Sequence, residues 1–150
     1  MQISARTMYG LRALVTLAGA RTDQPMSIQT ISCEEDLPGK FLEGIMADLK
    51  RGQFVLSKRG ANGGYMLARP ASEMTLLSII RHLEGPVAPM AYDDRTAGEG
   101  SPTDRQAAFR PVWQEIRDAT IRVLERYTLQ SIADSVPELM HDDFSPIYQI

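Results

Sequence analysis

The residues best suited to chemistry in this chain form a glycine-rich segment that also carries two cations. Lys58 and Arg59 are followed at once by Gly60, an alanine, Asn62 and two more glycines. Glycine and asparagine adopt the positive φ values that a reversing loop needs. Because such a loop lets the backbone approach a surface closely, cations beside it favour a polyanionic partner.

Other chemistry finds little support in the sequence. The basic loop matches neither the Walker pattern nor the dinucleotide fingerprint of nucleotide-binding proteins. The histidines His82 and His141 lie far apart, no serine stands in a nucleophile elbow, and Asp93-Asp94 falls in a predicted loop. A lone histidine such as His82 is more often a surface or core-edge residue than a metal ligand. Three adjacent polar residues such as His141-Asp142-Asp143 could contact a metal ion but are usually just solvated. We therefore expect neither an enzyme nor a metal site.

Short strand-like runs flank the basic loop. Residues 54–57 and 65–68 are rich in valine, phenylalanine and tyrosine and predict a β-hairpin with the loop at its tip. An arginine at such a tip, here Arg59, fits a narrow minor groove, where the negative potential of DNA is strongest.

Three helices precede the hairpin. Ser4 caps a helix that runs to about Ala20, and Ser27 caps a short second helix. The third begins at Pro38, buries one apolar face and stops at Gly52; that face comprises Leu42, Ile45, Met46 and Leu49. Helices two and three have helix-turn-helix spacing, although two packed helices of any bundle look the same. With a basic hairpin added, the pattern predicts a winged helix.

Composition and charge are consistent with this division. The chain has 150 residues, 43% of them hydrophobic, and a net charge of -3. Residues 1–69 hold nine Lys/Arg against six Asp/Glu, a balance of +3, whereas residues 70–150 hold seven against thirteen, a balance of -6. Such asymmetry is expected when only one part faces a polyanion, although uneven surface charge without meaning explains it equally well. The single cysteine and the lack of a long apolar run predict a soluble cytoplasmic protein.

Several motifs carry a family resemblance. They are Met1-Gln2-Ile3-Ser4, Tyr9-Gly10-Leu11-Arg12-Ala13-Leu14, Phe41-Leu42-Glu43 and, most specifically, the run from Arg59 to Pro70. The chain resembles the bacterial regulators that include the iron–sulfur regulator IscR, the nitric-oxide sensor NsrR and the cysteine-metabolism repressor CymR. The similarity covers about residues 1–134. It implies a homodimeric winged-helix transcription factor that binds an imperfect palindrome.

The resemblance also implies roles for individual residues. Those on the recognition helix are Lys40, Phe41, Glu43 and Gly44, and Arg59 enters the minor groove. Gly44 departs from relatives that carry a longer polar side chain, so base reading is not expected from it. Glu43 can accept a hydrogen bond from a cytosine amino group, although a solvated helix charge is the alternative. We expect phosphate contacts from Arg6, Lys50, Arg51 and Lys58.

The second half predicts a helix that Thr75 caps and Gly85 ends, with four buried residues: Leu76, Ile79, Ile80 and Leu83. A mobile loop over 86–104 and a long helix are predicted to follow it. The long helix carries an apolar stripe at steps of three and four residues: Phe109, Val112, Ile116, Ala119 and Val123. Trp113, Leu124 and Tyr127 form a second stripe. A helix with two apolar sides contacts two bodies, most simply its own domain and the same helix of a second subunit. The alternative is a helix folded wholly onto its own domain.

This gives a mainly α fold with a small β-hairpin, divided into four parts. A winged helix-turn-helix DNA-binding domain spans 1–85, the loop 86–104, the dimerisation helix region 105–134 and a C-terminal tail 135–150. Residues 128–134 are expected to add one turn to the third part.

Cofactor expectations depend on cysteine. In cluster-bearing relatives the loop equivalent to 86–108 supplies three cysteines, and this chain has none there. We expect no iron–sulfur cluster, with non-cysteine ligands as the alternative. Cys33 is interpreted as buried and inert, with redox sensing as the alternative.

The sequence thus predicts a dimeric repressor of transcription that binds double-stranded DNA, with room for a small-molecule or protein effector. A winged-helix adaptor that docks a partner enzyme and touches DNA weakly is the alternative function.

Overall fold

The computed structural model describes residues 3–20, 24–87 and 108–141, and the side chains of these segments as far as residue 137. The described part contains six helices and one antiparallel hairpin, which is the mainly α class that the sequence predicts. In chain order the elements are α1 (Ala5–Gly19), α2 (Ile28–Glu35), α3 (Gly39–Arg51), β1 (Val55–Lys58), β2 (Gly64–Leu67), a 3₁₀ turn (Ala71–Glu73), α4 (Leu76–Glu84), α5 (Arg110–Arg126) and α6 (Leu129–His141). Apart from residues 86 and 87, the predicted loop lies outside the described residues.

Local capping sets where three of the helices begin. The hydroxyls of Ser4, Ser27 and Thr75 each accept a hydrogen bond from the backbone N–H three residues later, at 3.1–3.2 Å. Each bond satisfies a donor that the first helical turn would leave unpaired. All three predicted caps are confirmed.

The turn between α2 and α3 gives the helix-turn-helix its shape. Asp36 ends α2 in the left-handed conformation, at φ 51°. The N–H of Leu37 then donates to the carbonyl of Ser32 at 3.0 Å, and Pro38 starts α3. The predicted inward face of α3 is confirmed, since Leu42, Ile45, Met46 and Leu49 are at most 1% exposed.

Cys33 is exposed, so the expectation of a buried thiol is wrong. The eight-residue helix α2 fully buries only Ile31. Two residues further along a helix, a side chain points about 200° away. The geometry of α2 therefore turns Cys33 outward.

The predicted hairpin is present, with each strand shifted by one residue. The first strand is Val55–Lys58 instead of 54–57, and the second is Gly64–Leu67 instead of 65–68. Val55 pairs with Leu67, and Lys58 pairs with Gly64. A bridge to Met26 adds a third backbone segment, because Met26 and Tyr65 exchange two hydrogen bonds of 2.8 Å. A Cβ on Gly64, at φ 150°, would lie 2.2 Å from the carbonyl oxygen of Met26, so only glycine fits at this crossing.

The last helix corrects the prediction of one further turn over 128–134 and a tail from 135. α6 continues to His141 with Pro137 inside it. Thr128 and Ser131 cap it reciprocally, each side-chain oxygen accepting the other residue's N–H at 3.1–3.2 Å. The helix packs along α1, and Leu129 is fully buried in the main core. Tertiary packing of this kind outweighs the local cost of a proline.

The chain between α5 and α6 is tied to the start of α4. The Leu76 N–H donates to the Tyr127 carbonyl at 2.9 Å, and the Leu129 N–H donates to the Met74 carbonyl at 2.8 Å. On α4 the fully buried residues are Leu77, Ile79 and Ile80, whereas the expected Leu76 and Leu83 are only half-buried. None of the described helices is long and apolar enough to span a bilayer.

Candidate nucleic-acid interface

The outer face of α3 is an exposed surface opposite the core. It presents Lys40, Phe41, Glu43 and Gly44 to solvent, and Phe41 keeps 47% of its surface exposed. A Cβ added at Gly44 would meet nothing within 4 Å, so open space lies beyond it. Lys50 and Arg51 in the last turn complement the negative end of the helix dipole. The predicted recognition residues therefore share one accessible face.

Helix α1 supports one edge of this face. The ring of Phe41 meets the ring of Tyr9 edge to face, with centroids 5.8 Å apart. The guanidinium carbon of Arg12 lies over the Tyr9 ring, 5.9 Å from its centroid, and Arg12 Nε donates to Glu35 Oε2 at 2.8 Å. Phe41 thus packs on α1 with part of its ring and leaves the rest exposed, which suits an apolar contact with a thymine methyl group.

Two predicted phosphate-binding arginines meet at Asp48 on the same edge of α3. Arg6 of α1 pairs with Oδ2 of Asp48, and Arg51 pairs with Oδ1. The hydrogen bond from Arg6 is the main reason that the pKa of the Asp48 carboxyl lies below its usual range, and the hydrogen bond from Arg51 lowers it further. Burial raises this pKa but does not outweigh the two arginines. The carboxylate therefore stays ionised between the two guanidinium groups.

The wing lies along the opposite edge of α3. The Lys50 ammonium nitrogen lies 2.6 Å from Ser57 Oγ on β1. Beyond this contact Lys58, Arg59, Gly60 and Asn62 are exposed at the hairpin tip. Gly60 has φ 112°, and its carbonyl accepts the Gly63 N–H at 2.9 Å to close the turn. The tip of the hairpin thus presents Lys58 and Arg59 to solvent on a tight turn that depends on the conformation of Gly60.

His82 closes the C-terminal end of α3. Its Nε2 lies 2.8 Å from the Asp48 carbonyl oxygen, and its ring packs on Phe54 at 5.4 Å. The imidazole also occupies the space above Gly52, where a Cβ would lie 2.6 Å from Nε2. This contact agrees with the interpretation of His82 as a surface or core-edge residue.

Sequence reasoning missed Asp48, Tyr9 and His82 as residues that shape this surface. The spacing of Asp48 and Arg51 at i and i+3 is readable as a helical ion pair. Tyr9 and His82 act through partners on other helices, and no local pattern shows them.

The long helix α5 has one apolar side turned away from its own domain. Phe109, Val112, Ile116 and Val123 are 41–56% exposed, and Ala119 between them is half-buried. The other side packs on α4 through Ile121 and Leu124, while Tyr127 of the predicted second stripe is 41% exposed. No residue of α5 is fully buried. Among the residues that the structure describes, none covers this stripe.

Metal ligands are not assembled in the described part of the chain. No three His, Cys, Asp or Glu side chains among the residues described lie close enough to hold a metal ion. The whole chain has one cysteine, and it is exposed on α2.

Together, the helix-turn-helix, the basic wing and the exposed face of α3 define a winged-helix, DNA-binding regulator of transcription. The chain belongs to the Rrf2 family, described as iron-dependent transcriptional regulators, which it matches over residues 3–135. Members of this family are regulators rather than enzymes by name.

Two curated relatives illustrate the match. The HTH-type transcriptional regulator CymR of Bacillus subtilis is 35% identical over 133 residues, which cover 89% of this chain and 90% of CymR. Protein rrf2 of Nitratidesulfovibrio vulgaris is 30% identical over 132 residues, covering 88% and 87% of the two chains.

Solved structures support the fold. The structure of CymR, the global cysteine regulator of B. subtilis, has a TM-score of 0.76 and 33% identity, covering 91% of this chain and 98% of that one. The structure of IscR from T. potens has a TM-score of 0.73 and 26% identity, covering 96% and 94%.

Proposed function

We propose that this regulator works as a homodimer that represses transcription from an imperfect palindromic operator. The observation that carries the dimer is the exposed apolar stripe on α5. Its residues repeat at steps of three and four, the spacing at which two helices pack along each other. In such a dimer, a two-fold axis through this contact would let the two α3 helices enter successive major grooves, about 34 Å apart.

Base reading is assigned to the outer face of α3 and to the wing. Lys40, Phe41 and Glu43 would lie in the major groove, where Gly44 leaves room for the backbone to approach a base edge. Arg59 would enter the adjacent minor groove, with Gly60 and Asn62 keeping the tip slim enough to follow it. Arg6, Lys50, Arg51 and Lys58 would contact phosphates on either side. The exposed tip and the packing of Phe41 on Tyr9 support this assignment.

The residues of this chain do not fit a cysteine-ligated iron–sulfur cluster. Such clusters need several thiolates, and one cysteine cannot supply them. We propose a cluster-free member of the family, whose signal is a small molecule or a partner protein. Protein purified without oxygen should hold no stoichiometric iron and sulfide; a brown preparation that holds both would contradict this proposal.

Cys33 keeps a second, redox-based mode of regulation open because its thiol is exposed on α2. Oxidation there would alter the helix that supports α3. If this mode operates, peroxide should weaken DNA binding by the natural protein and leave the Cys33→Ser variant unaffected. Equal responses of both proteins would remove Cys33 from the mechanism.

The experiment that tests the main proposal is selection of bound fragments from the DNA of the source organism, followed by titration at two salt concentrations. We expect a sequence-selective complex containing two chains, enrichment of a palindrome, and affinity that falls steeply as salt rises. The adaptor alternative requires instead that no sequence is enriched. We place this activity in the cytoplasm, the compartment of bacterial DNA.

A further inference from the structure

Asp48 occupies an unusual position for an acidic residue on a DNA-facing helix. It lies on the edge of α3 that faces α1, and its side chain is 22% exposed. Each carboxylate oxygen has its own arginine: Arg6 comes from α1, and Arg51 from the last turn of α3 itself. One negative charge thus joins two cations from two different helices.

The surroundings keep Asp48 in place. Its backbone carbonyl accepts the Gly52 N–H at 3.0 Å and also lies 2.8 Å from His82 Nε2. The backbone of residue 48 is therefore held by α3 and α4 while the side chain reaches toward α1. Neither arginine can move its charge away without leaving the carboxylate.

This arrangement affects both the positions and the net charge of the arginines. Two adjacent guanidinium groups without an anion between them repel each other and spread apart. With Asp48 ionised, Arg6, Arg51 and Asp48 together carry a net charge of one positive unit, whereas the two arginines alone would carry two. Arg51 remains 70% exposed and Arg6 37% exposed, so both can still reach an anion.

We propose that Asp48 is a specificity-determining residue of the DNA interface. It holds Arg6 and Arg51 at fixed positions beside the recognition face and reduces their attraction for phosphates wherever the sequence is wrong. This inference rests on the proposed placement of α3 in the major groove. Attraction to phosphates supplies nearly all of the affinity for non-specific DNA, so a carboxylate that weakens it favours the operator in relative terms.

The test uses Asp48→Asn, which keeps the shape of the side chain and removes its charge. Asp118→Asn is the matched control, because Asp118 also pairs with an arginine, Arg117, at 3.3 Å, but on α5. Asp48→Glu restores the charge. Each full-length protein is titrated with two duplexes of about three helical turns, one carrying the selected palindrome and one carrying the same bases in shuffled order, over a range of salt concentrations.

For Asp48→Asn we expect the affinity for the shuffled duplex to rise at low salt. The expected rise is about threefold for each chain, whose Arg6 and Arg51 are no longer neutralised in part, and therefore on the order of tenfold for a dimer. The dependence of this affinity on salt should also steepen, whereas affinity for the palindrome should change less, so that selectivity falls. Asp48→Glu and Asp118→Asn should behave as the natural protein does. Thermal unfolding measured in parallel shows whether each variant is folded.

The outcomes separate the two proposals. If the natural protein binds both duplexes equally, the proposed function and this inference fail together. If the natural protein is selective and Asp48→Asn keeps its selectivity and salt dependence, only this inference fails. A loss of affinity for both duplexes by the same factor would also overturn it, since that result indicates a merely structural role.

Discussion

The ammonium group of Lys50 and the hydroxyl of Ser57 lie 2.6 Å apart and join the last turn of α3 to the first strand of the wing. The opposite strand is held as well, because Tyr65 exchanges two backbone hydrogen bonds with Met26. The wing is thus attached to its domain through both strands. Its spacing from the recognition helix is set before DNA binds, which lowers the entropy cost of using both elements at once.

Arg59 is the residue of the wing whose removal we expect to matter most. Arg59→Ala should weaken operator binding by roughly 1–3 kcal/mol, because it removes a cation from the groove of most negative potential. Fluorescence anisotropy with a labelled operator measures the change. Arg122→Ala, an exposed position on α5, is the control and should bind nearly as the natural protein does. Full affinity of the Arg59 variant would exclude the wing from recognition.

The winged helix was readable from sequence because its determinants are local. Ser4, Ser27 and Thr75 cap helices that begin at the next residue, and Gly60 has the positive φ that the predicted loop needs. The inward face of α3 follows from helical spacing alone. Each of these features depends on residues of one helix or one loop.

The features that sequence missed depend on contacts between distant residues. α6 extends past Pro137 because it packs on α1, which no local pattern encodes. Asp48 gains its role from Arg6, 42 positions earlier, and His82 reaches the Asp48 carbonyl from 34 positions later. Propensity and periodicity carry no information about such pairs.

Disrupting the apolar stripe on α5 should separate the subunits. A variant with Val112→Glu and Ile116→Glu places two charges on a surface that, in the proposed dimer, is buried against its own copy. Sedimentation velocity should show a monomer, and operator affinity should fall because the two half-sites are no longer bound together. Gln114→Glu adds a charge to another side of α5 and should leave the dimer intact. A dimer that survives the double substitution would place the subunit contact elsewhere.

Leu129 should be essential to stability although it lies far beyond the winged helix in the sequence. It is fully buried in the core that α1 and α3 share, so Leu129→Ala should cost about 2–5 kcal/mol. Urea unfolding followed by circular dichroism measures the loss. Leu56→Ala is a suitable control, because Leu56 is 52% exposed on the wing and its truncation should cost little. Similar stabilities for the two variants would mean that α6 does not contribute to the core.

Glu84 should make the free energy of unfolding depend on pH. Its Oε1 accepts the backbone N–H of Ser4 at 2.7 Å, at the positive end of the α1 dipole. Hydrogen bonding from Ser4 lowers the pKa of Glu84 below the ordinary 4.5. Because the folded pKa is the lower one, the stabilisation is complete above the unfolded value and is lost as pH falls through the folded value.

The charge of Glu84 should contribute about 0.3–1 kcal/mol near neutral pH, a small amount because solvent screens the exposed group. Glu84→Gln should therefore be less stable than the natural protein at pH 7, and the difference should shrink below the ordinary carboxyl value of 4.5. Urea midpoints across this pH range measure it, with Glu125→Gln on the exposed side of α5 as the control. If the difference in urea midpoint between the natural protein and Glu84→Gln stays constant down to the lowest pH, the charge of Glu84 does not stabilise the start of α1.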